Sequence, residues 1–288
     1  MKENAYEEIR NLEGAGEFFE LISRWDAISE KLREKKTPKN YPVLLPDLLW
    51  SAKPGSGTSK ALNLMEEYLV HKENLMEFSG NVRSFQFKLA YCRPNAPFKE
   101  LQRLFEAISN AKGFRSVYKG IIVIDIDEWQ KHFEERYFID FMHFLSDNSC
   151  PWLIVLCTTN DDPVFLDKLE GFLSLFLRVE RVVLRAPDVK ELSEYCVKYL
   201  AGYGISLRKN AVRLIEESMQ KMQKSAKFNG YNAATRFCQD IIYSLLCHSK
   251  DTSEEIGAGS LKEFAPDSEY IRKRAISENT IFDRKIGF

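Results

Sequence analysis

The segment Ser51–Leu62, "SAKPGSGTSKAL", contains the residue types of a phosphate-binding loop. A loop of the form G-x-x-x-x-G-K-[ST] wraps backbone N–H groups around phosphates, places a lysine at the β- and γ-phosphates and offers a hydroxyl to Mg²⁺. On that template Ala52 and Gly57 take the two glycine positions, and Thr58 stands where the lysine is expected. Ser59 supplies the hydroxyl. The segment therefore predicts a phosphate site that lacks its main cation.

The predicted phosphate-binding residues are consecutive in the chain: Pro54, Gly55, Ser56, Gly57, Thr58, Ser59 and Lys60. Two lysines could replace the missing one, because a lysine on its flexible stem can reach a phosphate from a neighbouring position. Lys53 lies inside the loop, and Lys60 lies in the first turn of the helix predicted after it. The loop alone therefore leaves both binding and catalysis open.

A second polar cluster follows the apolar run "IIVID". Asp125 ends this run, in the position where a carboxylate holds Mg²⁺ near the phosphates, and we predict Ser59 and Asp125 as the metal ligands. The next position, where an active ATPase needs a glutamate to polarise water, holds Ile126. Asp127 and Glu128 could serve as the catalytic pair in a shifted register. We favour a different role for them, the capping of a helix that begins near Trp129.

The elements around these residues predict an α/β fold. A short strand, Leu48–Ser51, precedes the loop, and Leu62, Met65 and Leu69 have helical spacing after it. Apolar runs typical of buried parallel strands then alternate with helices: "VRSFQFKLAY", "PFKELQRLFEAISNAKG", "GIIVIDIDEW", "ERYFIDFMHFLSD", "PWLIVLCTTND" and "VERVVLRAP". The pattern predicts a doubly wound parallel sheet over residues 45–187, with its chemistry at the carboxyl ends of the strands.

The flanking segments predict helices only. Residues 5–36 have helical spacing before the first strand, and three amphipathic helices follow Pro187. We therefore expect three parts: a nucleotide-binding domain over residues 1–187, a helical lid over residues 188–250, and a linker with a tail over residues 251–288.

Taken together, these motifs resemble an AAA+ ATPase module over residues 5–250. "KPGSGTS" resembles its Walker A motif, "IIVIDIDE" its Walker B motif and "LIVLCTTND" its sensor 1 strand. The resemblance implies a P-loop NTPase-type parallel sheet sandwiched by helices and followed by a small all-α lid. It implies that Thr159 or Asn160 is the sensor 1 residue. It also makes Arg178 the candidate arginine finger for the next subunit, and Arg236 the nearest arginine to the sensor 2 position, which Ala234 occupies.

Three functions remain open from the sequence. The first is a degenerate AAA+ protein that binds ATP or ADP with Mg²⁺, hydrolyses it poorly or not at all, and acts as a regulatory or structural subunit of a homo- or hetero-oligomer. The second is an active ATPase of remodelling type that uses Lys60 or Lys53 with Asp127 and Glu128. The third is a scaffold whose loop holds no ligand or only an ordered anion. We favour the first, because threonine cannot supply the positive charge that phosphoryl transfer requires.

The overall composition limits the classes of binding partner and the cellular compartment that we expect for this protein. The chain has 41 basic and 42 acidic residues, and this balance gives no support for binding to nucleic acid or to an anionic membrane. Its six cysteines form no C-x-x-C pair, which favours free thiols in a reducing compartment over a disulfide framework. The charged start "MKENAYEEIR" lacks an apolar signal region. We expect a cytoplasmic protein.

Overall fold

The computed structural model describes residues 4–12, 14–34, 45–72, 75, 86–92, 118–129, 133, 135–146, 152–225, 228–247 and 255–276. These residues fall into two compact units. The first consists of Met1–Lys53 and Gly57–Arg185, and the second consists of Pro54–Ser56 and Ala186–Phe288. No helix among the described residues is long and apolar enough to cross a membrane. The helix predicted over residues 97–113 lies outside the described residues.

The first unit contains a sheet whose described strands are all parallel. The strands are β1 (Asp47–Ala52), β2 (Gln86–Cys92), β3 (Tyr118–Asp125), β4 (Trp152–Thr158) and β5 (Val179–Leu184). Their order across the sheet is β2-β3-β4-β1-β5. Because β1 and β3 both pair with β4, the segments that follow these three strands meet at one edge of the sheet.

Helices cover both faces of this sheet. They are α1 (Asn4–Arg10), α2 (Gly16–Glu34), α3 (Thr58–Val70), α4 (Arg136–Ser146) and α5 (Pro163–Leu173). Side chains of α1, α2 and α3 share a core with Trp50, whereas side chains of α4 and α5 share another with Leu49. Successive strand residues point to opposite faces, so burial on both sides requires the continuous apolar runs seen in the sequence. The predicted fold class is confirmed.

The helical pattern over residues 5–36 forms two helices instead of one. The helical conformation is interrupted around Gly14, whose φ of +73° is one that only glycine adopts readily. The Gly14 carbonyl accepts a hydrogen bond from the Arg185 N–H at 3.1 Å. A Cβ at Gly14 would lie 3.0 Å from the Arg185 carbonyl oxygen. This contact with the chain after β5 accounts for the break.

The second unit is built on helices α6 (Val189–Gly202), α7 (Lys209–Gln223) and α8 (Gly230–Cys247). Asp188 and Glu191 form a capping box at the start of α6, where each side chain accepts a hydrogen bond from the other's backbone N–H. Cys196 and Cys238 are free and buried in the core of this unit.

Part of the segment expected to be a linker and tail belongs to this helical core. Residues 255–276 form a 3₁₀ segment (Ala258–Phe264) and helix α9 (Glu269–Ile276). Leu261, Phe264 and Ile271 are almost completely buried. The Ser218 hydroxyl of α7 donates a hydrogen bond to the Phe264 carbonyl at 2.7 Å. The expectation of a flexible linker therefore differs from the structure here, whereas residues 251–254 and 277–288 lie outside the described residues.

Three loop residues, Pro54–Ser56, group with the second unit. The Gly55 carbonyl accepts a hydrogen bond from the Tyr231 N–H at 2.9 Å, at the start of α8. Gly55 has φ +82° and Gly230 has φ +42°. A Cβ on either glycine would collide with backbone atoms, those of Asn229 in one case and those of Gly55 in the other. The contact therefore requires glycine at both positions.

Candidate functional site

The start of α3 leaves a set of backbone donors for an anion. Gly57 precedes the helix in the left-handed conformation, with φ 87°, and no side chain caps the helix. The first intrahelical bond at this end runs from the Ala61 N–H to the Gly57 carbonyl, at 3.0 Å. The N–H groups of the three preceding residues, Thr58–Lys60, therefore have no partner within the helix. With no acidic residue in the first turn, this helix start favours a bound anion.

Ser56 adds a hydroxyl to the same loop. Its side chain is 6% exposed, and Ser56 Oγ has no hydrogen-bond partner among the described residues. A buried polar group without a partner costs about 1–3 kcal/mol, which a phosphate oxygen could offset by accepting a hydrogen bond from the hydroxyl. Thr58 is half-buried, while Ser59 and Lys60 are exposed. The loop thus fits a phosphate group, and Ser59 is accessible to a metal ion.

The ends of β1 and β4 are joined directly beside this loop. The Ser51 hydroxyl donates a hydrogen bond to the Asn160 carbonyl at 2.8 Å. The Lys53 ammonium forms an ion pair with Asp161, with Nζ 2.6 Å from Oδ2, and both side chains are about half exposed. The polar run "TTND" after β4 was the sequence signal for this edge, but it did not indicate that Asp161 binds Lys53.

Asp127 holds the carboxyl ends of β3 and β4 together. Its carboxylate accepts hydrogen bonds from Thr158 Oγ1 at 2.8 Å, from the Thr159 N–H at 2.9 Å and from Thr159 Oγ1 at 2.6 Å. The Asp127 N–H donates to Asp125 Oδ1 at 3.0 Å. Asp127 was expected to cap a helix that begins near Trp129, and these hydrogen bonds show a different role. Its carboxylate links two strand ends.

The residues around Asp127 follow the alternation of the strand. Ile126 is 1% exposed and lies in the apolar core shared with α4 and α5. Asp127 begins a short 3₁₀ helix, Asp127–Trp129, which also contains Glu128.

Cys157 pairs with Asp125 in the sheet register, and burial raises the pKa of its thiol, with a further increase from the charges of Asp125 and Asp127. This thiol is therefore protonated and unreactive at neutral pH.

Asn160, the expected sensor residue, forms a turn that leads into α5. Its N–H donates to Thr158 Oγ1 at 3.1 Å, and its side-chain oxygen accepts from the Asp162 N–H at 3.0 Å. Asp162 in turn caps α5 by accepting a hydrogen bond from the Val164 N–H at 3.2 Å. The side-chain amide N–H₂ of Asn160 is the end of the group that can donate to a phosphate.

No protein-family model and no curated protein matches this sequence. Its fold is similar to that of the Thermotoga maritima RuvB Holliday junction branch migration motor, with a TM-score of 0.51 and 11% identity over 88% of this chain and 73% of that one. A proline-to-glycine point mutant of the same RuvB gives a TM-score of 0.50 and 12% identity over 90% of this chain and 75% of that one. The chain has the AAA+ ATPase fold.

Within the AAA+ fold, Arg178 lies away from the phosphate loop of its own chain. It directly precedes β5, and its carbonyl accepts a hydrogen bond from the N–H of Asp47, the first residue of β1, at 2.8 Å. It is therefore at the amino end of the parallel strands, whereas Asp125 is at the carboxyl end. The side chain of Arg178 is exposed. Arg181 forms ion pairs with Asp167 at 2.6 Å and with Glu170 at 3.5 Å on α5.

The expected sensor 2 arginine lies on α8 of the helical unit. Arg236 is exposed, while Ala234, at the position where the AAA+ pattern places the arginine, is completely buried in the core of this unit. A buried alanine packs among apolar side chains and offers no group to a phosphate. The structure therefore places Arg236 on the surface of the second unit.

The metal prediction rests on Ser59 and Asp125. Among the described residues no group of three or more His, Cys, Asp or Glu side chains could hold a metal ion. A nucleotide-bound Mg²⁺ needs fewer protein ligands, because phosphate and water oxygens fill most of its positions. Asp125 is half-buried, and Oδ1 of its carboxylate is hydrogen-bonded to the Asp127 N–H. Its second oxygen and the Ser59 hydroxyl are of the ligand type that Mg²⁺ prefers.

Proposed function

We propose that this chain is a degenerate AAA+ protein that binds ADP or ATP with Mg²⁺, hydrolyses it poorly or not at all, and serves as a regulatory or structural subunit of an assembly. Nucleotide binding is supported by the helix start at Thr58–Lys60, by the positive φ of Gly57 and by the buried hydroxyl of Ser56. Ser59 and Asp125 would hold the metal ion. The phosphates would supply the anion that this helix start favours.

The observation that carries the proposal is the environment of the acids at the end of β3. Ile126 occupies the position of the base that polarises water, and its side chain is buried. The next carboxylate, that of Asp127, already accepts three hydrogen bonds from Thr158 and Thr159. A carboxylate offers about four acceptor positions, so little capacity is left for an attacking water. This favours a site that binds without efficient hydrolysis.

The alternative, an active remodelling-type ATPase, requires two replacements at once. Lys53 can be released from Asp161, because a half-exposed ion pair stabilises a protein by about 1 kcal/mol or less. Lys60 is exposed and already available. Neither lysine compensates for the hydrogen bonds that hold Asp127, which would cost several kcal/mol to break together. The missing base therefore weighs more against hydrolysis than the missing lysine does.

Calorimetric titration with ATP and with ADP in the presence of Mg²⁺, followed by a phosphate-release assay on the same sample, tests the proposal. We expect saturable binding and no phosphate release above that of a buffer control. Turnover that is abolished by Lys60→Ala or Glu128→Gln, but not by Lys209→Ala, would establish the active alternative. Lys209 is a suitable control because it is an exposed lysine in the first turn of another helix, α7.

The assembly is supported by exposed groups near the predicted arginine finger. Leu175, which follows α5 and lies three residues before the exposed Arg178, is 76% exposed. An exposed apolar side chain of this size can contribute to a contact surface when a partner covers it. We expect sedimentation as an oligomer, alone or mixed with a competent AAA+ subunit. Leu175→Glu should shift it to smaller species, and Leu246→Glu in the helical unit, also at an exposed leucine, should not.

We further propose a cytoplasmic location. The described cysteines Cys157, Cys196, Cys238 and Cys247 are all free, as is usual in a reducing compartment. Nucleic acid is not part of the proposal, because the formal net charge of −1 offers no basic excess.

A further inference from the structure

We infer that the phosphate loop takes a nucleoside diphosphate in preference to the triphosphate, an inference that rests on the nucleotide binding proposed above. The groups that hold the first two phosphates are present in the loop. Of the groups that could hold a third, the loop lysine is missing, and Lys53, Thr158 and Thr159 already bind carboxylates of the protein. The expected difference in affinity between the diphosphate and the triphosphate follows from the contacts at the ends of β1, β3 and β4.

The donors for the α- and β-phosphates are backbone groups, which the change from lysine to threonine leaves intact. In a loop of this type the N–H groups surround the α- and β-phosphates, and the lysine reaches the β- and γ-phosphates. Here the three N–H groups of Thr58–Lys60 have no partner in the helix, and Gly57 has the left-handed conformation that turns the chain into it. Ser56 Oγ, 6% exposed and without a partner among the described residues, is a further donor in this loop.

Most of the donors at the ends of β1 and β4 already bind carboxylates of the protein. Thr58 replaces the lysine, and Lys53 binds Asp161 at 2.6 Å. At the end of β4, the hydroxyls of Thr158 and Thr159 donate to Asp127, as does the Thr159 N–H. A third phosphate would have to break these bonds or depend on the side-chain amide of Asn160 and on the exposed Lys60.

The negative charge at this edge of the sheet also favours the diphosphate over the triphosphate. Two carboxylates lie at the end of β3, those of Asp125 and Asp127, whereas the carboxylate of Asp161 is paired with Lys53. A terminal phosphate brings additional negative charge toward them without the lysine that normally offsets it. One Mg²⁺ can accompany either nucleotide, so it does not remove the difference. The diphosphate therefore has nearly all of the available contacts and less of the repulsion.

The test is calorimetric titration of the whole chain with ADP, ATP and AMP, each with Mg²⁺. We expect the dissociation constant for ADP to be about tenfold lower than that for ATP, which is the effect of one charged hydrogen bond. AMP, which lacks the β-phosphate, should bind more weakly than ADP. Thr58→Lys restores the cation and should bring the ATP and ADP constants together or reverse their order.

Asn63→Lys is the matched control, because Asn63 is exposed on α3 beyond its first turn and the substitution adds the same charge to the same helix. We expect it to keep the wild-type ratio. ATP binding equal to or tighter than ADP binding in the wild-type chain would overturn the inference and leave the proposed nucleotide binding in place. Failure of both nucleotides to bind would instead overturn the proposed function and the inference with it. A ratio that Thr58→Lys and Asn63→Lys change equally would also overturn the assignment to the missing lysine.

Discussion

Asp47, the first residue of β1, carries a pH-dependent cost to stability that Asp47→Asn should remove. Its carboxylate accepts a hydrogen bond from the Ile154 N–H at 2.9 Å. Desolvation by burial raises its pKa from the ordinary value of 3.8 to about 6, although this hydrogen bond acts in the opposite direction. Since one pKa unit corresponds to about 1.4 kcal/mol, the difference corresponds to about 3 kcal/mol.

The sign follows from the protonation of the two states. Below about pH 4 Asp47 is protonated whether the protein is folded or unfolded, and it costs nothing. As the pH rises, the unfolded chain loses its proton first, so the wild-type protein loses stability until about pH 6 and keeps the full penalty above it. An asparagine has no such cost, and its side-chain oxygen can accept the same hydrogen bond. We expect Asp47→Asn to stabilise the first unit by up to about 3 kcal/mol at pH 7.5 and by little at pH 4.

Urea unfolding followed by tryptophan fluorescence measures this effect in the first unit, because all four tryptophans, Trp25, Trp50, Trp129 and Trp152, lie there. Asp140→Asn on α4 is the control, since it removes the same charge from an exposed position and should change stability by about 0.5 kcal/mol or less. A change at Asp47 that is the same at pH 4 and pH 7.5, or a loss of stability at pH 7.5, would refute the reasoning.

Two further predictions concern the backbone and the strand ends. Gly14→Ala should destabilise the protein by about 1–2 kcal/mol in urea unfolding, because φ is +73° and the new Cβ would lie 3.0 Å from the Arg185 carbonyl oxygen. Gly16→Ala, where nothing lies within 4 Å, should be close to neutral, and equal effects of the two changes would contradict this account. Asp127→Ala should lower the free energy of unfolding by about 2–3 kcal/mol, because the donors of Thr158 and Thr159 lose their acceptor. An unchanged unfolding midpoint in urea would show that these hydrogen bonds contribute nothing to stability.

The elements that sequence predicted best are those in which one local pattern determines both burial and conformation. The strand around Leu49 and Trp50 and the strand that ends at Asp125 contain continuous apolar runs, and this pattern fits burial on both faces. The loop between β1 and α3 was also predictable, because Gly57 and the helical spacing after it are local signals.

Residues 255–276 show where local pattern gives too little information. Leu261, Phe264 and Ile271 are widely spaced among charged and small residues, so no amphipathic repeat identified them as core. They are buried because the helices of the second unit present a matching apolar surface, which is a property of the packed unit and not of this segment. The break at Gly14 has the same origin, because its partner, Arg185, is distant in the chain.

By itself the sequence determined the parallel α/β sheet, the position of the phosphate loop, the helices that follow the sheet and the replacement of the loop lysine by Thr58. Each of these depends on residues that are near one another in the chain. Only the tertiary structure decided what the neighbouring charged groups do: Lys53 binds Asp161, and Asp127 binds Thr158 and Thr159. Hydrogen bonds and ion pairs between strand ends depend on the order and register of the sheet, and that order brings together residues that the sequence keeps apart.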